Sequence, residues 1–258
     1  MSHPTLNAAS RGIGKPLVLL HAFPLSHEMW IHLKAPTGFR LILPDFPGFG
    51  LSPQGPMDFT LEDAARVLRE LLNREGVQGP LVLGGISMGG YWAMEFLRLY
   101  PDLVSSLLLI STRSGTDSEG ARQNRLKMAE EVLAEGTASL ARAMIPGLLG
   151  ATTRARNPAV AEEVTEFIRK TSPEAVAGAQ KAMAGRRDQG GTLAQSRTPT
   201  LIMAGLEDSL IPESESQALA EKMRQSRLER IEQTGHLIPL EAPERFQFLL
   251  DDFLSQRI

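Results

Sequence analysis

Three side chains in this 258-residue sequence could together break an acyl bond. Ser87 stands at the centre of Gly85-Ile86-Ser87-Met88-Gly89, after the apolar run Leu81 to Leu83. Alone, the pentapeptide reads equally well as a glycine-rich strand end with a capping serine. A serine hydroxyl is a weak nucleophile and needs a base. The sequence holds five histidines. His3 lies close to the N-terminus. His27 and His32 flank Trp30 and read as surface or packing histidines. His21 ends an apolar run and reads as a strand-end hydrogen bonder. His236, on a loop after Gly235, is the expected base. Such a base needs a carboxylate to hold its tautomer and stabilise the imidazolium. Asp208, on the loop after Thr200 to Ala204, is the expected partner. Glu207 beside it should point the other way, and Asp117 is the alternative acid. The chain order Ser, Asp, His is one of the known convergent orders.

These residues act together only if the fold brings their loops to one edge. Leu17 to Leu20, Leu41 to Leu43, Leu81 to Leu83, Leu107 to Ile110 and Thr200 to Ala204 are unbroken apolar runs. Such runs suit parallel strands covered on both faces. Helical patterns lie between them: Phe59 to Asn73 with Thr60 as N-cap, Met88 to Tyr100 stopped by Pro101, Ser214 to Met223, and Pro243 to Gln256. Alternation of this kind predicts an α/β protein with a mostly parallel sheet and helices on both faces. From Arg113 to Ser196 only helical signals appear: Ala121 to Glu135, Ala138 to Leu149, Pro158 to Lys170 and Pro173 to Ala184. The reading is therefore a core of residues 1–112 and 197–258 with an inserted helical cap, 113–196. The cap should lie over the carboxyl ends of the strands, where ligands bind in open α/β sheets.

A strand before Ser87 and a helix after it give the pentapeptide a physical meaning. A sharp strand-to-helix turn strains the serine and demands small residues two positions before and two after. Composition narrows the alternatives. Net charge is −3, which gives no basic footprint for nucleic acid. There is no cysteine, hence no disulfide, thiolate metal site or thiol nucleophile. No signal-peptide pattern opens the chain and no apolar run approaches a membrane span, so a cytoplasmic location is expected.

Five stretches together resemble the α/β-hydrolase superfamily. They are the Ser87 pentapeptide, Leu20-His21-Ala22-Phe23-Pro24, the turn Asp45-Phe46-Pro47-Gly48-Phe49-Gly50-Leu51-Ser52, the acid loop Ala204 to Asp208, and Gly235 to Phe246. Within the superfamily the chain looks most like small carboxylesterases and 3-oxoadipate enol-lactonase-like proteins. The resemblance implies an oxyanion hole made by the N–H groups of Phe23 and Met88. Ala22 departs from the glycine usual there. The short segment before Leu17 implies that one or both early edge strands of the family are missing.

The function implied is a serine hydrolase that cleaves small carboxylic esters or lactones through an acyl-enzyme, without metal or organic cofactor. A carbon–carbon bond hydrolase, a perhydrolase and a non-catalytic ligand receptor of the same fold are the competing readings. Trp30, Met128, Met144, Leu148, Met183, Leu210 and Leu237 are candidates to wall an apolar substrate pocket, and each also suits plain core packing. Arg113 is a candidate to meet a substrate carboxylate, or else a surface residue at a cap junction. The expected partner is the small ester or lactone itself, bound by a monomer or small homo-oligomer, with no nucleic acid and no membrane.

Overall fold

A computed structural model describes residues 4–256; His3 lies outside the described residues. Seven strands form one sheet: β1 (Ala8–Gly12), β2 (Lys15–Leu20), β3 (Phe39–Pro44), β4 (Leu81–Ile86), β5 (Val104–Ile110), β6 (Thr200–Gly205) and β7 (Ser226–Ile231). Their order across the sheet is β1-β3-β2-β4-β5-β6-β7. Only β1 runs antiparallel to its neighbour. The apolar runs seen in sequence lie in the buried middle of the sheet, and β4 and β6 are buried along their whole length. β1 and β7 are additions at the two edges. β1 supplies one early edge strand. Its sequence AASRG is small and polar, and half to fully exposed, so it carries no apolar signal. β7, SRLERI, is mostly half-buried and mixes charge with apolar residues, as an edge strand does.

The helices of the core follow the sequence pattern. They are α1 (Leu61–Arg74), α2 (Met88–Leu99), α9 (Glu213–Lys222), the short α10 (Ile238–Glu241) and α11 (Pro243–Ser255). At α1 a capping box forms. The Thr60 side chain accepts from Asp63 N, and the Asp63 side chain accepts from Thr60 N. One face of α1, from Leu61 through Leu72, is buried, which holds the 14-residue helix beside α2.

Between β5 and β6 come α3 (Glu119–Glu135), α4 (Thr137–Leu148), α5 (Ala151–Arg156), α6 (Pro158–Arg169), α7 (Pro173–Ala184) and α8 (Gly190–Gln195). α5 and α8 carry no clear apolar period, and each is only six residues long. α3 packs along α7, and α4 along α6. A charged cluster ties this helical segment together and lies against the core. Asp117, just past β5, pairs with Arg113 (2.9 Å), Arg125 of α3 (2.6 Å) and Arg186 after α7 (2.7 Å). The Arg186 guanidinium also lies over the Tyr91 ring of α2, 4.4 Å from its centroid.

Candidate active site

The sheet reverses its direction of growth at β2. The chain runs from β2 to β3 on one side, then returns to place β4 on the other. Ligand crevices in open α/β sheets form outside the carboxyl ends of the strands at such a switch point. β2 and β4 pair in parallel with Leu20 opposite Gly85. The loop carrying Phe23 and the turn carrying Ser87 therefore leave the same edge side by side.

Ser87 has φ 54° and ψ −114°, a backbone conformation that L-residues other than glycine rarely adopt. Strain of this kind costs about 1–3 kcal/mol and persists where the surroundings over-determine it. Here Ser87 N donates to Ile110 O (3.0 Å), and Ser87 O accepts from Gly90 N (2.9 Å), Tyr91 N and Thr112 Oγ1 (3.0 Å). The side chain makes no capping bond to α2. Close approach explains the flanking glycines. A Cβ on Gly85 would strike the Gly89 carbonyl, and one on Gly89 the carbonyls of Leu20 and His21. Gly90 backs directly onto Thr112, which leaves the elbow helix pressed against the end of β5.

Asp208 and His236 meet. Both are almost fully buried, and His236 Nδ1 lies 2.7 Å from Asp208 Oδ2. Asp208 Oδ1 accepts from the N–H groups of Leu210 and Ile211, each at 2.9 Å. That carboxylate is thus fixed on one side by backbone and on the other by the imidazole. With Nδ1–H donating to Asp208, Nε2 is the nitrogen left to take a proton. Neither it nor Ser87 Oγ has a hydrogen-bond partner among the described residues. β4, β5, β6 and β7 are parallel neighbours, so Ser87, Asp208 and His236 all follow carboxyl ends of strands on one edge.

The other acids are engaged elsewhere. Glu207 turns away, as expected, to accept from Thr152 N (2.7 Å) and Thr152 Oγ1 (2.5 Å) at the start of α5. These two bonds hold its carboxyl below the usual range. Asp117 is not a partner for His236. Burial alone would push its carboxyl up, but hydrogen bonds from Arg186 and Arg125 outweigh that and lower it to about 2. Arg113 is correspondingly not a free cation for a substrate: Asp117 holds it, with Glu215 at 3.9 Å.

His21 is a strand-end hydrogen bonder. Its Nε2 accepts from Phe46 N (3.0 Å), so Nδ1–H donates to Ala22 O (2.9 Å). Complete burial pushes its pKa down, which keeps this neutral tautomer in place. Both bonds brace the loop that carries Phe23, whose peptide bond to Pro24 is cis. Ala22 is wholly buried, and its N–H points to the Met29 sulfur at 3.2 Å. The N–H groups of Phe23 and Met88 make no hydrogen bond among the described residues. His27 differs from a plain surface histidine. Its Nδ1 and its backbone N both reach the buried Asp45 carboxylate at 2.7 Å, and Asp45 raises the imidazole pKa. The signal was in the sequence as the aspartate that opens the Asp45-to-Ser52 turn, but nothing local pairs residues so far apart. His32 is exposed beside Glu163.

The seven candidate wall residues occupy different surroundings. Trp30 is fully buried against Phe246, with ring centroids 5.8 Å apart, and belongs to the core. Leu148, Met183 and Leu237 are buried. Met144 is half-buried. Met128 borders a hollow of about 200 Å³ between α3 and α4, with Val132, Leu140 and Ala143. Leu210, the next residue but one after Asp208, is exposed and packs toward Gly147 of α4. Among the described residues no group of three or more histidines or acids is arranged to hold a metal ion. No described helix is long and apolar enough to cross a membrane.

A strained serine elbow, a buried His–Asp pair and a mostly parallel sheet on this topology define the α/β-hydrolase class. The chain belongs to that family: the family model described as alpha/beta hydrolase fold matches residues 15–243. The chain is similar to a thermophilic esterase from Thermogutta terrifontis, solved with malate bound. The two are 37% identical, with a TM-score of 0.94 over 99% of this chain and 98% of that one. It is also 28% identical to the pimeloyl-(acyl-carrier protein) methyl ester esterase of Aromatoleum aromaticum, over 92% of this chain and 96% of that protein. The enol-lactonase of Burkholderia xenovorans shares the fold at TM-score 0.89 and 21% identity, covering 98% of this chain and 97% of that one.

Proposed function

We propose that this protein hydrolyses small carboxylic esters through an acyl-enzyme on Ser87. The observation that carries the reading is the strained, uncapped Ser87 on the same sheet edge as the buried His236–Asp208 pair. The esterases to which the chain is similar along nearly its whole length support the choice of bond. In this reading Ser87 Oγ attacks the ester carbonyl carbon while its proton passes to His236 Nε2. Asp208 keeps Nδ1–H in place and stabilises the imidazolium. The oxyanion that forms is met by the N–H groups of Phe23 and Met88, the latter at the positive end of α2. Each such donor is worth roughly 2.7–4 kcal/mol of transition-state stabilisation in comparable enzymes. The carbon–oxygen bond then breaks, and His236 returns the proton to the leaving alcohol. Water repeats the sequence at the acyl-enzyme, with the same histidine as base, and releases the acid. The Ser87–His236 hydrogen bond forms when substrate closes the site, since such contacts are often long without ligand.

The helical segment 113–196 acts in this proposal as the cap that selects the acyl or alcohol group, with Leu148 and Met183 among its buried apolar side chains. Ser87→Ala tests the whole scheme. It is expected to keep a wild-type circular dichroism spectrum and melting temperature, while hydrolysis of p-nitrophenyl acetate and labelling by a fluorophosphonate both disappear. Retained turnover in that variant overturns the reading.

A further inference from the structure

We propose that Glu241 is a positioning residue for His236, holding the loop by the N–H groups of the residues before and after the histidine. Gly235 N donates to Glu241 Oε2 and Leu237 N to Oε1, each at 2.9 Å. The His236–Leu237 peptide, and the Thr234–Gly235 peptide one residue upstream of the histidine's own, are therefore tied to one carboxylate. The same Oε2 takes two donors from the helical segment between β5 and β6, Gly150 N (2.8 Å) and Thr153 Oγ1 (2.7 Å). Four donors converge on a side chain that sits at the end of α10, directly before α11. A carboxylate is the one side chain of this length that accepts on both oxygens.

The consequence is a division of labour around the imidazole. Asp208 fixes the ring through Nδ1, and Glu241 fixes the backbone that carries the ring. Without the second constraint the Asp208 bond alone leaves the ring free to swing about Nδ1, and Nε2 moves relative to Ser87. A displacement of about 1 Å at a reacting group can cost about 100-fold in rate. Because Gly150 and Thr153 share Oε2, the seat of this helical segment and the seat of the base are set by one group. Glu207 makes the neighbouring contact, from the acid loop to Thr152. Both loops that carry the His–Asp pair thus send a carboxylate to residues 150–153.

This inference rests on His236 being the base, and the experiment separates the two claims. Glu241→Gln is isosteric but accepts on one atom only. Keeping the three donors on its oxygen turns the amide N–H₂ toward Leu237 N–H. The expected result with p-nitrophenyl acetate is a 10- to 100-fold fall in kcat with KM within about threefold of wild type, and an equal fall in the rate of fluorophosphonate labelling. Thr153→Val, which removes one donor from the helical segment and neither flanking amide, is expected to cost less in kcat than Glu241→Gln. Should Glu241→Gln fail to fold, Glu241→Asp, which keeps the charge but cannot span both amides, is read by the same kcat and KM split. A wild-type kcat in whichever variant folds, or a rise in KM alone, overturns the positioning role while leaving the Ser87 reading intact. Turnover by Ser87→Ala overturns both.

Discussion

Replacing Asp208 by asparagine tests the chemistry of the His–Asp pair without removing its shape. Asp208 Oδ1 accepts two backbone N–H groups, from Leu210 and Ile211, and Oδ2 faces His236 Nδ1. An asparagine must decide which side receives its oxygen. Turning the N–H₂ toward Leu210 and Ile211 leaves two backbone donors facing a donor. At about 1–3 kcal/mol for each unsatisfied group, that orientation costs more than the alternative, which disturbs only the single contact to histidine. The amide N–H₂ therefore faces Nδ1, which must then accept rather than donate. The imidazole shifts its proton to Nε2, and Nε2 can no longer take the Ser87 proton. Wrong-tautomer variants of comparable triads lose about 10⁴ in kcat, equivalent to about 5 kcal/mol in activation free energy. The loop keeps both backbone bonds, so the melting temperature should move by only a few degrees. The assay is kcat for p-nitrophenyl acetate at neutral pH on Asp208→Asn, with thermal melting on the same sample. A kcat within tenfold of wild type in a folded variant would show that the tautomer argument, and with it the role of Asp208, is wrong.

Two further outcomes follow from packing and charge. Gly89→Ala should lower both the melting temperature and ester hydrolysis, the latter more than 100-fold, because its Cβ would press on the backbone of Leu20 and His21 beneath the elbow. Unchanged activity would mean the elbow relaxes freely. Asp117→Asn leaves three arginines without their shared carboxylate, and should cost about 3–5 kcal/mol in urea unfolding near neutral pH, as breaking a buried pair does. The folded-state pKa of Asp117 is lowered from 3.8 to about 2, so its linked stabilisation is present above pH 3.8 and is lost as pH falls through about 2. That linked part is on the order of 2 kcal/mol. The stability gap between wild type and Asp117→Asn should therefore narrow across that window, and a gap that widens on acidification contradicts the assignment.

Family and fold class were legible because each rests on local pattern. The unbroken runs in β2 to β6, too short for buried helices, suit strands covered on both faces. The spacing of Gly85, Ser87 and Gly89 states a steric demand that the elbow then meets: a serine at φ 54° with its neighbours' backbones in contact. Edge strands were less legible. β1 and β7 bury one side at most, so their residues need not be apolar, and AASRG and SRLERI look like loop.

Pairings between distant residues lay beyond the sequence altogether. Arg113 read as a substrate contact or a surface residue at a cap junction and Asp117 as a spare acid, yet the fold brings Arg125 and Arg186 to the same carboxylate and rests Arg186 on Tyr91 of the core. His27 read as a surface or packing histidine until the β3 turn delivered Asp45 to it. Glu241 was one letter of a motif, and only folding set it between Gly235, Leu237, Gly150 and Thr153. The sequence by itself determined the family and which elements carry Ser87, Asp208 and His236, since turn sterics and strand or helix period are properties of the residues in place. Tertiary structure alone decided which charges are paired and which donors meet which carboxylate. The contacts among them that cross the fold join residues 18 apart for His27 and Asp45, 69 apart for Arg186 and Asp117 and 91 apart for Gly150 and Glu241, and no local spacing encodes a distance across the folded chain.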